Sequence, residues 1–296
     1  MANSIDKPKI LTEALGLEGE IIDGPILPVF IDQDGESKIS FDINKANELL
    51  DGAKWNQITP EQYREYLAKK AAETAAANAD DDESETAAEE STAVDPQATS
   101  TEAVQDNELE SSQAFYRQKG DTILEIALTT VNQPENVKAA ELIKDFWQAI
   151  GVKVNLKITD GSKIRREVIK TRDYEALLFG IIVNSNPDPY PFWHSSQIQD
   201  PGLNLALFAN REVDKLLEEA GKTADPDEQL QKYKRFQEIL IAELPAIFLH
   251  TPTYTYVIDK KIKGINIDRV ITPADRFNNI QDWYIKTKRS YQGDIH

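Results

Sequence analysis

Residues 121–159 switch between two hydrophobic periods, and this switch limits the possible folds more than any other feature of the sequence. Residues 121–130 (DTILEIALTT) and 152–158 (VKVNLKI) carry apolar side chains at every second position, which predicts two β-strands. Between them, Pro134 opens a run of apolar residues spaced three and four apart, which predicts a helix that Gly151 closes. The order strand, helix, strand is typical of an α/β protein with a parallel sheet.

The pattern continues with a short predicted helix at residues 162–170 and an apolar run at 174–183 (YEALLFGIIV), which we interpret as a buried strand. We therefore expect a mixed, mainly parallel sheet with right-handed crossovers. Ligands of such sheets bind beyond the carboxyl ends of the strands. Residues 184–193 (NSNPDPYPFW), rich in proline and aromatic side chains, occupy such a position and form the candidate binding loop.

The second half of the chain has mainly helical patterns. One helix is predicted at residues 210–221. Another starts after Asp225 as N-cap, with Pro226 in the first turn and Glu228 completing a capping box. Its buried stripe is predicted to consist of Leu230, Tyr233, Phe236 and Leu240. Later strands are predicted at residues 245–250 (PAIFLH) and 253–259 (TYTYVID), followed by a closing segment that starts at KIKGINI.

Most of the net charge of -18 comes from one segment. Residues 71–112 hold 13 of the 51 acidic residues and none of the 33 basic ones, and they contain no aromatic side chain. Because so little apolar surface cannot offset the entropy of ordering, we expect a disordered acidic insertion, either a solvated linker or a cation- or partner-binding tail. Before it, Thr59, Pro60 and Gln62 predict a helix start with a capping box, and this helix is expected to fray near Asn78. We expect no nucleic-acid partner, because phosphate binding needs clustered basic residues.

The residues that usually carry catalysis or metal binding are sparse. Cysteine is absent, and the three histidines (His194, His250 and His296) have neither metal-ligand spacing nor a phosphate-binding glycine loop or nucleophile elbow nearby. His194 and Ser195 suggest nucleophilic chemistry, yet sequence neighbours rarely face each other and no acid is evident to orient the histidine. We therefore expect no enzyme, no cofactor and no metal. No apolar run is long enough to cross a bilayer, and residues 1–15 show no signal-peptide pattern.

Nine segments of the sequence share their order with a known protein family. They are IDKPKI, GPILP, FDINKANELL, AAELIKDFWQAIGVKVNLKI, YEALLFG, NPDPYPFW, NREVDKLLEEA, QLQKYKRFQEILIAELPAIFL and IKGI. In this order they resemble the carboxyl-terminal half of the family 5 extracytoplasmic solute-binding proteins, the peptide- and nickel-type receptors of ABC importers. The resemblance covers nearly the whole chain except residues 56–120.

The resemblance implies an α/β, periplasmic-binding-protein-like lobe (type II, cluster C-like) with a mixed, mainly parallel sheet, plus the disordered acidic insertion. In this family two lobes joined by crossover strands enclose the ligand. No segment corresponds to the amino-terminal half, which fits a truncated gene, a split gene or an isolated piece. The implied parts are a crossover segment and start of the carboxyl-terminal lobe (1–58), the helical and then disordered acidic insertion (59–118), the carboxyl-terminal α/β lobe (119–260) and a return segment towards the missing first lobe (261–296).

The resemblance also singles out the candidate binding loop. Peptide-binding members typically carry the sequence Asp-Tyr-Pro-Asp-Pro here, and its first Asp pairs with the amino terminus of the ligand. Ser185 and Asn186 stand at the first two positions of this motif. Because a hydroxyl cannot neutralise an ammonium group, the anionic anchor of the family is absent. Asp188 matches the second Asp of the motif, which either caps the turn or contacts the ligand.

Seven residues are candidate ligand contacts on this basis. The prolines of the loop fix backbone angles, which lowers the entropy cost of holding a binding surface. Phe192 and Trp193 either line an apolar pocket or fill the core of their own lobe, and Asn204 either braces the loop or contacts the ligand. The seven residues are Asn184, Ser185, Asn186, Asp188, Phe192, Trp193 and Asn204.

The resemblance implies the function of a substrate-binding component (carboxyl-terminal half) of an ABC importer, which binds peptides or a related small solute between two lobes for delivery to the permease. The implied partners are a small solute or peptide ligand, the ABC transporter permease and a separate amino-terminal lobe. The implied location is extracytoplasmic, periplasmic or at the cell surface. The alternative is a truncated or split receptor lobe that acts as a partner-binding or scaffold module without transport activity.

Overall fold

The computed structural model describes residues 1–31, 39–81, 113–183, 188–267, 270 and 272–286. The predicted disorder of the acidic insertion falls largely outside these ranges. The helices are α1 (Lys7–Leu15), α2 (Ile43–Gly52), α3 (Pro60–Asp81), α4 (Pro134–Gln148), α5 (Tyr190–Trp193), α6 (Arg211–Lys222) and α7 (Pro226–Glu243). The strands are β1 (Gly19–Ile21), β2 (Asn56–Ile58), β3 (Tyr116–Lys119), β4 (Thr122–Ile123), β5 (Glu125–Val131), β6 (Lys153–Thr159), β7 (Ala176–Leu178), β8 (His250–Pro252), β9 (Ile262–Lys263) and β10 (Tyr284–Ile285).

The chain forms two compact units, each built from several stretches of sequence. The first unit consists of Met1–Asp6, Ser40–Asp160 and Tyr174–Leu178. The second unit consists of Lys7–Ile39, Gly161–Asp173 and Phe179–His296, as far as these residues are described. The four-part division implied by the family resemblance stays a prediction.

A parallel three-stranded sheet is the centre of the first unit. β5 lies between β6 and β7 and runs parallel to both. α4 connects β5 to β6 and buries one apolar stripe, which includes Ala140, Ile143 and Trp147. The expected strand, helix and strand are therefore confirmed, as is the parallel pairing between the two strands.

The single strand predicted at residues 121–130 is divided in the structure. β4 pairs antiparallel with β3, whereas β5 belongs to the parallel sheet. Leu124 lies between the two strands, where its N–H donates to the carbonyl of Arg117 at 2.8 Å and its carbonyl accepts from Lys153 N at 2.9 Å. A single alternating apolar pattern thus forms one strand in each of two sheets, because successive backbone groups bond to different neighbours.

Arg117 is a fully buried cation in the first unit. Its Nε donates to the carbonyl of Ile150 at 3.0 Å, and one terminal nitrogen donates to the carbonyl of Trp55 at 2.8 Å. The guanidinium also donates to the side chains of Asn47 and Asp51. These bonds fix one buried guanidinium to four acceptors from different stretches of the chain.

The predicted start of α3 is confirmed. Thr59 N donates to the side-chain oxygen of Gln62 at 2.9 Å, and Gln62 N donates to the Thr59 hydroxyl at 3.2 Å. This reciprocal pair is the predicted capping box. The helix extends to Asp81, slightly beyond the expected fraying point at Asn78.

α6 and α7 form the helical core of the second unit. Asp225 is the N-cap of α7, as predicted, and accepts from Asp227 N at 2.9 Å. Only half of the predicted capping box forms: Glu228 N donates to the Asp225 carboxylate at 3.4 Å, but Asp225 N donates to the hydroxyl of Thr223. The Glu228 carboxylate accepts from that same hydroxyl. The predicted stripe is confirmed: Tyr233, Phe236 and Leu240 are buried, and Leu230 packs against them partly exposed.

Three predicted strands are shorter than expected or absent. The run at 174–183 forms a strand only as β7, at the edge of the sheet, and Ile182 beyond it is 82% exposed. Its apolar sequence therefore does not mark a buried strand. At residues 245–250 only the last residue, His250, enters β8. The run at 253–259 forms no strand at all.

Candidate functional site

The described part of the candidate binding loop begins with a turn that leads into α5. The Asp188 carboxylate accepts from Tyr190 N at 3.0 Å, so it caps this turn. Trp193, at the end of α5, is 6% exposed, and its ring packs against those of Phe208 and Phe248 with centroids 6.5 and 5.8 Å apart. The short helix is therefore attached to the core of the second unit through its last aromatic residue.

A shallow recess, open to solvent, lies beside α5. Its walls come from the segment at residues 25–30, from the residues after β7 and from α5, all within the second unit. Asp188 is the one charged residue among the described residues that line it. The lining residues are Pro25, Ile26, Leu27, Phe30, Ile181, Val183, Asp188, Pro189, Phe192 and Trp193.

The Asp188 carboxylate is exposed at this recess. It forms no ion pair with any residue that the structure describes. Burial raises the pKa of the Tyr233 hydroxyl, and the negative charge of Asp188 is a second cause of the same shift. An uncompensated carboxylate therefore stands beside apolar walls, an arrangement that attracts a cation attached to an apolar group.

α6 anchors the chain immediately after α5. The two oxygens of the Asp214 carboxylate accept from Ser195, one from its N–H at 2.8 Å and the other from its hydroxyl at 2.5 Å. Asp214 lies in the first turn of α6, where a negative charge is also favoured by the helix dipole. Ser195 is thus held to a rigid helix two residues after Trp193.

His194 is buried between α5 and α6. Its Nδ1 accepts from Ser196 N at 3.1 Å, so we assign the ring proton to Nε2. Nε2 lies 3.5 Å from Glu218 and 3.8 Å from Asp214, which corrects the expectation that no acid is near this histidine. The adjacent Ser195 hydroxyl nevertheless donates to Asp214 rather than to the imidazole, so the two sequence neighbours do not form a nucleophile and its base.

Asn204 is fully buried and uses its amide within the protein. Nδ2 donates to the carbonyls of His194 at 3.1 Å and Phe208 at 2.8 Å. Oδ1 accepts from Phe208 N at 3.1 Å. Three of the four hydrogen bonds that an amide can form are therefore made, and they brace the chain behind α5.

A largely buried ion pair holds the chain just before residues 25–30, the segment that forms the other wall of the recess. Lys7 Nζ, in α1, donates to Asp23 at 2.6 Å and to the carbonyl of Ile22 at 3.1 Å. Both charged side chains are at most 21% exposed. This pair fixes the chain two residues before Pro25, where the lining segment begins.

The structure brings only some of the predicted site residues together. Asn184, Ser185 and Asn186 lie outside the described residues. Asp188, Phe192 and Trp193 all line the recess, whereas Asn204 is buried behind α5. A ligand role for the seven residues stays a prediction.

Sequence reasoning missed Asp214 and the wall at residues 25–30. Asp214 is 19 residues from its partner Ser195, and an acid in the first turn of a helix is common enough to carry no signal of its own. The wall at 25–30 lies within the motif GPILP and its neighbours, which indicated the family but not a contact with α5.

The described residues show neither a metal-binding cluster nor a membrane-crossing helix. No group of three or more histidine, aspartate or glutamate side chains among them is placed to hold a metal ion. No helix in the same part of the chain is both long and apolar enough to cross a bilayer.

Comparison with known proteins relates the chain to bacterial oligopeptide- and dipeptide-binding proteins. No family model matches the sequence. The oligopeptide-binding protein AppA of Bacillus subtilis is 26% identical over 157 residues, which are 52% of this chain and 28% of AppA. The curated relatives therefore match about half of this chain and little more than a quarter of their own length.

Solved structures match a larger share of the chain. AppA in complex with a nonapeptide superposes with a TM-score of 0.63 at 19% identity, covering 97% of this chain and 46% of AppA. NikZ of Campylobacter jejuni, in complex with Ni(L-His), superposes with a TM-score of 0.63 at 18% identity, covering 95% of this chain and 47% of NikZ. The expected periplasmic-binding-protein-like α/β fold and the resemblance to peptide- and nickel-type solute-binding proteins are confirmed. The chain spans about half the length of these structural relatives.

Proposed function

We propose that this chain, as a relative of the extracytoplasmic solute-binding proteins, is the carboxyl-terminal half of the substrate-binding component of an ABC importer. It binds a peptide or a related small solute at the recess beside α5, for delivery to the permease on the extracytoplasmic side of a membrane. The observation that carries this proposal is the uncompensated Asp188 carboxylate at the edge of apolar walls.

The recess suits one side chain or end of a solute rather than a whole ligand. Phe192 and Trp193 supply aromatic surface, and the segment at residues 25–30 supplies aliphatic surface. Binding sites are commonly apolar with few polar anchors, because apolar burial drives binding and the polar groups fix orientation. Asp188 has one oxygen engaged with Tyr190 N, which leaves the other for a cationic group of the solute.

The contacts behind α5 support this role through preorganisation. Asp214 holds the chain at Ser195, and Asn204 holds it at His194. A wall that is already ordered loses less conformational entropy when a solute binds. We therefore propose that Asp188, Phe192 and Trp193 meet the solute, and that Asn204 acts by bracing. The proposed role is non-catalytic.

A peptide pair tests the proposal directly. One nonapeptide has its amino terminus as its sole amino group, and its twin is acetylated there. Calorimetry measures the affinity of both for this chain, alone and supplied with the amino-terminal lobe of a relative. Asp188→Asn keeps an acceptor for Tyr190 N but removes the charge. The affinity for the free peptide should therefore fall roughly tenfold, or about 1.4 kcal/mol, while the affinity for the acetylated twin should stay the same.

Asp227→Asn is the matched control, because Asp227 is an exposed acid of the second unit outside the recess. It should leave both affinities unchanged. An equal effect of Asp188→Asn on both peptides would show that Asp188 only caps the turn. If neither peptide binds with or without the added lobe, the transport role is wrong and the partner-binding or scaffold alternative is favoured.

A further inference from the structure

A cluster of basic residues lies in the second unit at Gly161–Asp173. This stretch holds five basic and two acidic residues and thus a net charge of +3, whereas the whole chain has a net charge of -18. The short helix predicted at residues 162–170 is a single π-helical turn, Arg165–Ile169. A positively charged segment therefore interrupts an acidic protein.

The backbone of this turn leaves four of the five cations in solvent. Ile164 and Val168, four residues apart, face the protein and are only 4% and 8% exposed. Lys170 N donates to the carbonyl of Arg165 at 2.9 Å, so these two residues lie one turn apart. Four exposed residues, which we call the basic turn, surround the buried pair: Lys163, Arg165, Arg166 and Lys170.

Three of the four charges in the basic turn lack an opposite charge nearby. Arg166 pairs with Glu167 at 2.7 Å. Lys163, Arg165 and Lys170 form no ion pair with any residue that the structure describes. Elsewhere in the same unit, three lysines of α6 and α7 each pair with a glutamate. The basic turn is therefore a concentrated positive charge that its own neighbourhood does not neutralise.

Arg172 fixes the basic turn to the second unit. Its guanidinium donates to the carbonyls of Ile169 at 2.5 Å, Ile198 at 3.0 Å and Gly202 at 2.7 Å. These acceptors are neutral, so the bonds hold the backbone without cancelling the positive charge. A cluster with a fixed backbone loses only side-chain freedom when it binds a partner.

The composition around the basic turn points to the kind of partner. Protein interfaces have an apolar or aromatic core, and single-stranded nucleic acids stack on aromatic side chains. No large apolar or aromatic side chain is exposed among residues 161–173, all of which the structure describes. A layer of anionic lipid headgroups, in contrast, attracts clustered lysine and arginine side chains through charge alone. The chemistry of the basic turn therefore fits an anionic lipid surface.

We propose that the basic turn binds the surface of a membrane that contains anionic phospholipids. The inference rests on the proposed function, since a receptor that delivers its solute to a permease works beside a membrane. Acidic residues elsewhere in the chain oppose this contact only weakly, because charges are screened over about 8 Å at physiological ionic strength. The contact orients the second unit on the lipid surface and raises the concentration of the receptor there.

Flotation with lipid vesicles at low ionic strength tests this contact. Vesicles of equal parts phosphatidylglycerol and phosphatidylcholine present anionic headgroups, and vesicles of phosphatidylcholine alone are the uncharged comparison. The chain should float with the anionic vesicles and not with the uncharged ones. Binding should weaken as salt is added, because salt screens the attraction between the cations and the headgroups.

The decisive variant combines Lys163→Gln, Arg165→Gln and Lys170→Gln. These side chains are exposed and pair with no described acid, so their replacement leaves the folded chain intact. Each basic residue close to an anionic lipid surface raises the affinity roughly fivefold, and the triple variant should therefore bind about 100-fold more weakly.

The matched control combines Lys9→Gln, Lys215→Gln and Lys222→Gln. It removes three exposed positive charges from the second unit outside the basic turn, so its net charge equals that of the first variant. The control should bind the anionic vesicles as the wild type does.

Three outcomes overturn the membrane contact: no binding to the anionic vesicles, an equal loss of binding in the control variant, or tighter binding to soluble polyglutamate than to the vesicles, which would assign the basic turn to an acidic protein. Binding of the nonapeptide is measured separately, without vesicles. Vesicle binding that depends on the basic turn, in a chain that binds no peptide, would leave the membrane contact standing and refute the proposed function.

Discussion

Asp214→Ala should loosen the chain that follows α5. The substitution removes both acceptors of Ser195, one for its N–H and one for its hydroxyl. A hydrogen bond to a charged group contributes about 1.5–3 kcal/mol, and the Asp214 side chain is 20% exposed, so water can replace part of what is lost. We expect the free energy of local opening around Ser195 to fall by about 2–4 kcal/mol.

Amide hydrogen exchange at Ser195 measures this quantity. A loss of about 2–4 kcal/mol corresponds to exchange that is roughly 30- to 1000-fold faster. The rate of Ser195 amide exchange in Asp214→Asn should lie between the rates in Asp214→Ala and in the wild type. Its oxygen can still accept from Ser195 N, and its amide can donate to the Ser195 hydroxyl, but the charge is gone.

The control separates the anchor from the helix dipole. Asp227→Ala removes an acid from the first turn of α7, as Asp214→Ala does in α6, without removing a bond to the candidate loop. It should leave Ser195 exchange unchanged. Ser195 exchange within about threefold of the wild type in Asp214→Ala would refute the anchor, as would an equal acceleration in Asp227→Ala.

Two further predictions concern groups outside the recess. Arg117→Met should lower the free energy of unfolding by about 3–5 kcal/mol, because the carbonyls of Ile150 and Trp55 lose the guanidinium that donates to them. Unfolding in urea measures this loss, and a loss below about 1 kcal/mol contradicts the prediction. Burial lowers the pKa of His250, so below its ordinary value of about 6.5 the folded state binds fewer protons than the unfolded state, and stability falls as the pH falls. His250→Phe has no imidazole to protonate. The difference in unfolding free energy between the wild type and this variant should therefore be constant above about pH 7.5 and change towards pH 5.5. A difference that stays constant over the whole range contradicts the prediction.

The sequence alone determined the elements whose signals are local. The capping box of Thr59 and Gln62, the N-cap at Asp225 and the stripe that includes Phe236 depend on residues within a few positions of each other. Such patterns encode backbone capping and burial of one helix face, and neither requires knowledge of the partner. The family resemblance likewise followed from the order of such segments.

Only the tertiary structure decided which partners these elements meet. The run at 121–130 was divided because its backbone bonds to two different sheets. Residues 253–259 form no strand, because among the described residues β1 ends too early to pair with them. The same holds after α5, where Asp214 reaches Ser195 across 19 residues of sequence. A strand or an anchor exists only when a complementary group is present in space, and hydrophobic periodicity carries no information about which distant segment supplies that group.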